Sequence, residues 1–509
     1  MTPLSTLVVA AATLSSLLQV AATQAATTAP MLSSYFPALD VCFSQAERAG
    51  ACGAFVLTSS ASSYTEGATV AWNQTKLAMY FVDITTKDGF EIGPNQPLDG
   101  IKKFTSQAYA NGAKPMVTLG SWNGSLYFSK QLSTPEGRTK LASQLQNYLY
   151  YKEFKGVDIS WLYPAQQGIG CNTVSPKDTD DFLKFLKTLR GWLGMGYLIS
   201  IAAPPGGFLT GNGTEHVKDY SEWATVLDHI NIMTYDYTGP WSTKTGPLSP
   251  MHSCASGGGV TAAVKYWTSS GFPAEKIFIS IPSYAISFTL KSSTLEKTYM
   301  TDGDGGAFNY SSLIYQPFSS IPKGEAADSN DPTTDGCGVV TANYTGQWHY
   351  TSLIKEGLLA HDGSKGLKGY ARYMDGCSQT PFLFNPTNKH FIAYEDADSA
   401  SIKAGFARDN GLKGVTVFTS EGFDDTVYDA IVTDLNRPKK ELESGGATGK
   451  SDTPQAQAGG KTTKPSTPPP SSKQPQDMPK KASHGAGILG KMNLRARLSG
   501  SRHGAKNYH

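Results

Sequence analysis

Several apolar runs, separated from one another by stretches of helical character, constrain the fold of this chain most strongly. Residues 77–84 and 197–205 are almost uninterrupted apolar sequences, which is typical of strands buried on both faces. A helical stretch at 138–151 precedes another such run, and this alternation favours βα units and a parallel sheet. With 509 residues the chain is long enough for a large barrel and further segments. The sequence therefore predicts an α/β fold with a parallel barrel.

Residues 154–164 read Phe-Lys-Gly-Val-Asp-Ile-Ser-Trp-Leu-Tyr-Pro and place Asp158, Ser160 and Leu162 on one face of a strand. A buried barrel strand with one inward Asp is one interpretation of this run. The run also resembles the signature strand of family 18 glycoside hydrolases, the chitinases, which reads roughly F-D-G-x-D-x-D-W-E-Y-P. Six positions match that pattern: Phe154, Gly156, Asp158, Trp161, Tyr163 and Pro164.

The resemblance implies that the acid–base chemistry of the family is missing. Leu162 stands at the position of the proton-donating Glu, Ser160 at that of its supporting Asp, and Lys155 at that of the first Asp. The substrate's own acetamido oxygen is the nucleophile in this family, so one Glu carries the proton transfers, and Leu has no proton to give. Asp158 lies at least about 6–7 Å deeper along the strand, at ~3.3 Å per residue, which is too far to replace that Glu.

A second long motif retains residues that bind sugar in the family. Residues 228–241, Asp-His-Ile-Asn-Ile-Met-Thr-Tyr-Asp-Tyr-Thr-Gly-Pro-Trp, resemble the pattern D-x-x-x-x-M-x-Y-D-x-x-G-x-W. The resemblance implies that Tyr235 and Asp236 hold the acetamido group of the sugar. It also implies that Trp241 lines the acceptor side and that Met233 packs below. A strand with core aromatics is the alternative interpretation.

Other segments resemble the family in the same order along the chain. Tyr35 falls where the family has a strand 1 aromatic, and Trp122 follows a strand end as a sugar platform or a packing residue. Tyr284 is retained, whereas Ile286 replaces an Arg that donates hydrogen bonds near the substrate. Phe418 takes the place of the Trp that forms the floor under the distorted sugar, which leaves less apolar area and no indole N–H.

The resemblance covers about residues 30–435 and implies a (β/α)8 TIM barrel with an insertion. Residues 289–380 lie between two predicted barrel strands, are rich in Gly, Ser, Asp and Tyr, and are too long for a loop. The family implies a small α+β domain here. The predicted last elements are a helix that opens near residues 394–399 and a strand at 411–418, and the predicted first strand is 32–40.

The two ends of the chain differ from this body in composition. Residues 1–25 are uncharged and apolar and end in small residues, which predicts a signal peptide. The protein is therefore predicted to be secreted, either free or associated with a cell wall. No later run is long and apolar enough to span a bilayer. Residues 436–509 are rich in Pro, Ser and Lys and predict a disordered basic tail. The tail holds 14 Lys and Arg against 4 Asp and Glu, so the body is acidic although the whole chain is +2.

Six cysteines fit an oxidising compartment and up to three disulfides, of which Cys42–Cys52 and Cys337–Cys377 are the predicted local pairs. No Cys or His cluster indicates a metal, and no cofactor is predicted. Glycosylation sequons begin at five asparagines: Asn73, Asn123, Asn212, Asn309 and Asn343. The acidic body makes nucleic acid a poor partner, and the oligomeric state stays open.

Three functions remain after these observations. The favoured one is a secreted, catalytically inactive chitinase-like protein that binds chitin or chito-oligosaccharides in the barrel cleft. The second is a chitinase with full or residual activity, which would need another acid such as Glu421 or a carboxylate of the insertion. The third is a scaffold in which Leu162 or Ile286 closes the groove to sugar.

Overall fold

Eight parallel strands close into the barrel that the apolar runs predict. The structure, a computed structural model, describes residues 29–36, 71–86, 89–92, 98–211, 213–254, 258–301 and 309–438. In chain order, strands β1 to β8 are Met31–Phe36, Thr75–Thr86, Gly89–Ile92, Lys114–Ser121, Gly156–Trp161, Leu198–Ala203, His229–Ile232 and Ile277–Pro282. The barrel order is β1, then the final strand Gly414–Phe418, β8, β7, β6, β5, β4 and β2, and parallel pairing of β2 with β1 closes it. Strand β3 is an antiparallel extension on β2.

An antiparallel sheet lies between β8 and the last barrel strand. Strands β9 to β18 are Tyr284–Leu290, Glu296–Thr301, Asn309–Ile314, Phe318–Ser320, Thr333–Thr334, Val340–Thr341, Gln347–His349, Ala371–Asp375, Thr380–Asn385 and His390–Ala393, and the last barrel strand is β19. The main sheet has the order β12-β9-β18-β17-β16, with β15 also paired to β9. This sheet is the predicted insertion, and its strands reach beyond 289–380 at both ends.

Helices cover the outside of the barrel and return the chain to the start of the next strand. The helices α1 to α9 are Leu98–Ala110, Phe128–Leu132, Pro135–Tyr151, Asp178–Leu193, Ser221–Val226, Val260–Ser269, Tyr350–Lys355, Ala397–Asp409 and Asp425–Asn436. Helix α3 starts three residues before the predicted 138, because Thr134 caps it by accepting from the Gly137 N–H and Pro135 suits the first turn. Helix α8 begins after Asp396, which forms a capping box with Ser399.

The strand alternation separates two kinds of core. Outward side chains of β5, including Val157, Ile159 and Trp161, belong to the large apolar core under the helices. Trp161 is buried, stacks on Phe128 at a centroid distance of 5.3 Å and meets Phe182 edge-on. Inward side chains fill the barrel itself and include both a small apolar cluster and a group of buried polar residues. The polar group lies beneath the mouth at the carboxyl ends of the strands, where barrel enzymes hold their sites.

No helix in the described part of the chain is long and apolar enough to cross a bilayer. The predicted strand at 32–40 is present as β1, and its last four residues lie outside the described residues, as do residues 1–25 and 439–509. The predicted signal peptide and tail therefore remain predictions.

Candidate functional site

Phe418, the last residue of β19, is the centre of an aromatic cluster at the barrel mouth. Tyr235 stacks on it with centroids 5.1 Å apart and an interplanar angle of 23°. Tyr35, Phe81 and Tyr284 meet its edge or face at 5.5, 6.0 and 6.4 Å, all near perpendicular. Tyr35 and Phe418 lie near the ends of β1 and β19, Tyr235 and Tyr284 follow β7 and β8, and Phe81 lies on β2. The rings converge because parallel barrel strands all end at one face. The cluster forms an apolar floor beneath the barrel mouth.

Asp236 carries the acidic group beside this floor. Its backbone has a φ of 59°, and its carboxylate accepts a 2.5 Å hydrogen bond from the Tyr284 hydroxyl. Burial raises the pKa of Asp236 to about 6, although the hydrogen bond from Tyr284 opposes the shift. The pKa of the Tyr163 hydroxyl is also raised, by burial and by the nearby Asp236. Asp236 therefore lies among phenol groups, with a carboxylate that can accept hydrogen bonds.

Asp158 lies deeper, inside the barrel, and is fully buried. Its Oδ1 accepts hydrogen bonds from Ser200 Oγ at 2.6 Å and Asn231 Nδ2 at 3.2 Å. Its Oδ2 accepts from Tyr35 Oη at 2.9 Å and Thr118 Oγ1 at 3.4 Å. Burial raises the pKa of Asp158, while these four donors act in the opposite direction. Four barrel strands are thus joined through one carboxylate.

The end of β5 presents Ser160 and Leu162 above Asp158. Ser160 is buried, and its carbonyl accepts from Ser125 Oγ at 3.3 Å. Leu162 is half-buried, and its backbone N–H donates to the same Ser125 Oγ at 2.8 Å. The Ser125 hydroxyl therefore fixes the backbone at the point where β5 reaches the mouth.

Two tryptophans and Met233 complete the set expected from the sequence. Trp241 is 44% exposed, and its ring packs against Gly239, where an added Cβ would lie only 2.4 Å from ring carbons. The benzene ring of the indole therefore packs against Gly239 while much of the side chain is open to solvent. Trp122 and Met233 are both half-buried. The exposure of Trp241 suits a stacking platform, and the roles of all three remain predictions.

Of two further departures from the family pattern, one lies away from the floor, and the other belongs to the same apolar cluster as Tyr284. Lys155 is exposed before the start of β5, at the opposite end of the barrel, where its Nζ sits 5.9 Å from the centre of the Tyr109 ring. Lys155 is therefore not part of the site, and counting it among the lost chemistry was wrong. Ile286 is buried in the insertion sheet, between Gln347 and Ala393 of the neighbouring strands.

Glu421, the alternative acid, lies in the loop between β19 and α9. Burial raises the pKa of its carboxyl, and the nearby His349 of the insertion lowers it. His349 in turn bonds Glu325 through Nδ1 at 3.0 Å. Glu421 therefore faces a buried imidazole at the junction of barrel and insertion.

Several residues of this region were not predicted from the sequence. Thr118, Ser200 and Asn231 support Asp158, Phe81 extends the floor, and Ser125 orients the end of β5. The sequence feature that could have identified the polar residues is their position on the barrel strands. Thr118 and Ser200 pair directly with Asp158 in register, so three polar inward residues occur at one level of the barrel.

Two disulfides tie loops of the barrel to the insertion. Cys171 pairs with Cys337, and Cys254 pairs with Cys377. The predicted Cys337–Cys377 pair is wrong, because each of these cysteines reaches a loop of the barrel instead. The predicted Cys42–Cys52 pair lies outside the described residues. Among the sequons, Asn73 and Asn343 are exposed, Asn123 is half-buried, and the side chains of Asn212 and Asn309 are not described.

Comparison with known proteins decides the family. Residues 56–422 match the profile of the glycosyl hydrolases family 18. The chain belongs to glycosyl hydrolase family 18. It is 32% identical over 375 residues to a chitinase-like effector of Moniliophthora roreri, and the aligned residues make up 71% of this chain and 87% of that protein. A chitinase-like effector of Moniliophthora perniciosa is 30% identical, over 71% of this chain and 82% of that protein.

The family 18 fold is also found among solved structures. The crystal structure of a chitinase from Rhizomucor miehei is similar with a TM-score of 0.65 and 26% identity, covering 80% of this chain and all of that one. The structure of chitinase ChiA74 from Bacillus thuringiensis has a TM-score of 0.60 and 19% identity and covers 81% of this chain. The predicted TIM barrel and the family 18 resemblance are confirmed.

The raised pKa of Asp236 gives a stability prediction with a defined sign. Its folded-state value of about 6 lies above the ordinary value of 3.8, so the native state holds this proton more tightly than the unfolded state. Its contribution to the free energy of unfolding is therefore present below pH 4 and is lost as pH rises to about 6. Asp236→Asn does not titrate. We expect the urea midpoint of Asp236→Asn, relative to that of the wild type, to rise as pH increases across this interval. A difference that does not change with pH would contradict the raised pKa of Asp236.

Proposed function

We propose that this family 18 protein is secreted and binds chitin or chito-oligosaccharides in the cleft at the barrel mouth without cleaving them. One observation carries the proposal. The Tyr235–Phe418 stack and the Asp236–Tyr284 hydrogen bond are assembled at the mouth, while the adjacent end of β5 presents Leu162. Sugar binding needs stacking surfaces and hydrogen-bond acceptors, whereas cleavage needs a proton donor at the scissile oxygen.

The charged groups near the mouth support the absence of cleavage. Asp158 is enclosed by four donors inside the barrel, so its carboxylate is committed to the structure. Glu421 faces His349 at the insertion junction. Neither carboxylate lies at the end of β5, where the strand would present an acid to a bound sugar. The two Moniliophthora relatives are named chitinase-like effectors rather than chitinases.

Loss of the exposed indole tests sugar binding directly. We expect Trp241→Ala to weaken binding of chitohexaose by about 2 kcal/mol, roughly 30-fold in Kd, because a large aromatic contact is removed. Isothermal titration calorimetry at one pH measures the change. Tyr151→Ala is the matched control, since Tyr151 is 76% exposed at the end of α3, on the opposite face of the barrel. Equal affinity of Trp241→Ala and wild type would remove Trp241 from the site, and no binding by wild type would overturn the proposed function.

A further inference from the structure

Residues 324–346, termed the strap, leave the insertion sheet between β12 and β15 and return to it as a closed loop. Asp328 holds the two ends of the strap together at its base. Its Oδ2 accepts from the N–H groups of Gly324 at 2.7 Å and Gly346 at 3.1 Å, and its Oδ1 accepts from the Thr345 N–H at 3.1 Å. Asp328 is buried, so these bonds are protected from water. The base of the strap is therefore a fixed part of the insertion.

The base lies on the side of the mouth formed by β8 and β19. The Glu325 N–H donates to the Gln347 carbonyl at 2.9 Å, and Gln347 lies on β15, which pairs with β9 directly after β8. Two residues after β15, the Thr351 N–H donates to the Gly422 carbonyl at 3.1 Å, in the loop that follows β19. The strap thus starts beside the loops of these two neighbouring strands.

The tip of the strap lies against the loops that follow β4 and β5. It is the short hairpin of β13 and β14, and its Cys337 is bonded to Cys171 with a Cα–Cα distance of 5.6 Å. Beside it, Gly336 faces Asn123, and a Cβ at Gly336 would lie 3.3 Å from Asn123 Oδ1 and 3.4 Å from Ile169 Cδ1. Asn123 directly follows Trp122, and Cys171 belongs to the loop after Leu162.

These two attachment points face each other across the barrel. In the barrel order, β7 and β6 separate β8 from β5 on one side, and β1 and β2 separate β19 from β4 on the other. Phe418, Asp236 and Leu162 lie at the strand ends between the two points. The ten or so residues on each arm of the strap, at ~3.3 Å each, are long enough to reach across a barrel mouth.

We propose that the strap crosses over the cleft and, locked by the Cys171–Cys337 disulfide, admits a sugar chain only by one of its ends. This inference rests on the proposed sugar binding and names its ligand class. The ligands are soluble chito-oligosaccharides and free chain ends, rather than internal segments of a polymer. An open groove accepts a chain from the side, whereas a groove bridged by a covalent link requires the chain to be threaded.

The test uses chito-octaose with bulky ends. One form carries biotin with bound streptavidin at one end, and the other carries it at both ends. We expect the wild-type protein to bind the uncapped and the singly capped octamers and to show no binding of the doubly capped one. Equal binding of the singly and doubly capped octamers would overturn the strap proposal and leave the proposed function intact. Failure to bind even the uncapped octamer would overturn the proposed function itself.

Two variants test whether the strap is what prevents binding of the doubly capped octamer. We expect Cys171→Ser with Cys337→Ser to gain binding of the doubly capped octamer, because the tip is released. A variant in which residues 330–342 are replaced by a short Gly linker keeps Asp328, removes the tip of the strap together with Cys337, and should gain the same binding. The control is Cys254→Ser with Cys377→Ser, which removes the other disulfide and should still exclude the doubly capped octamer. Continued exclusion by the folded linker variant would overturn the role of the strap.

Discussion

The double substitution Leu162→Glu with Ser160→Asp is expected to introduce hydrolysis of chito-oligosaccharides. Leu162 directly follows β5, and the next residue, Tyr163, lies near Asp236 and Tyr235, so we expect a carboxylic acid at position 162 to be presented to the sugar. A general acid typically contributes roughly 10²–10⁴-fold in rate. We expect hydrolysis about 10²-fold above the wild-type background, at the low end of that range, because Phe418 and Ile286 still depart from the family pattern. The new carboxyl group from Ser160→Asp would lie near Asp158. Repulsion between two neighbouring carboxylates raises the pKa of one of them, so one of the pair keeps its proton. Chromatography of chitohexaose digests measures the gain.

The matched control for this gain is Leu162→Gln with Ser160→Asp. The amide has nearly the size and polarity of the acid but has no titratable proton to give. Activity in the Glu variant and none in the Gln variant would show that a proton donor is what the strand end lacks. Equal rates in the two variants, or products already formed by the wild-type protein, would contradict this explanation.

Asp158→Ala is expected to destabilise the barrel by about 3–5 kcal/mol, because it leaves four buried donors without their acceptor. The donors of Tyr35, Thr118, Ser200 and Asn231 come from four strands, and all four residues are buried. The amide of Asn231 is already oriented by Thr416, which donates to its Oδ1 at 3.0 Å, so it cannot turn to accept instead. Urea denaturation followed by circular dichroism measures the loss.

Ser200→Ala is the comparison for Asp158→Ala, because it removes one donor and leaves the carboxylate with three. We expect it to cost about 1 kcal/mol. A loss for Asp158→Ala that is no larger than that for Ser200→Ala would show that Asp158 does not join the strands. The expected difference makes Asp158 a structural residue in this chain, whatever its part in the acid–base chemistry of other family members.

The barrel could be predicted from the apolar runs of the sequence, whereas the residues of the aromatic floor were indicated by the resemblance to the family 18 motifs. Apolar runs at regular separation define the parallel strands, and the carboxyl ends of parallel strands meet at one face. Tyr235, Asp236, Tyr284 and Phe418 each fall at a position of a family motif, and that resemblance implied that they share one site. The structure joins these four residues by one hydrogen bond and three ring contacts.

The contacts between distant segments could not be predicted in this way. Cys337 was assigned to Cys377, 40 residues away, yet it bonds Cys171 at a separation of 166 residues. Sequence distance says little about spatial distance once an insertion folds back over a barrel. The position of Lys155 shows the same limit within one strand. A motif comparison treats Lys155 and Leu162 alike, whereas the strand places them at opposite ends of the barrel.

The central claim is that the cleft binds chitin fragments and leaves them intact, and one experiment tests it most directly. Chitohexaose is titrated into the purified protein by calorimetry, and the same mixture is analysed by chromatography after long incubation. We predict a saturable heat of binding with the hexamer recovered unchanged. Shorter oligosaccharides that accumulate in proportion to the amount of protein would contradict the account and show that the chain carries an acid elsewhere.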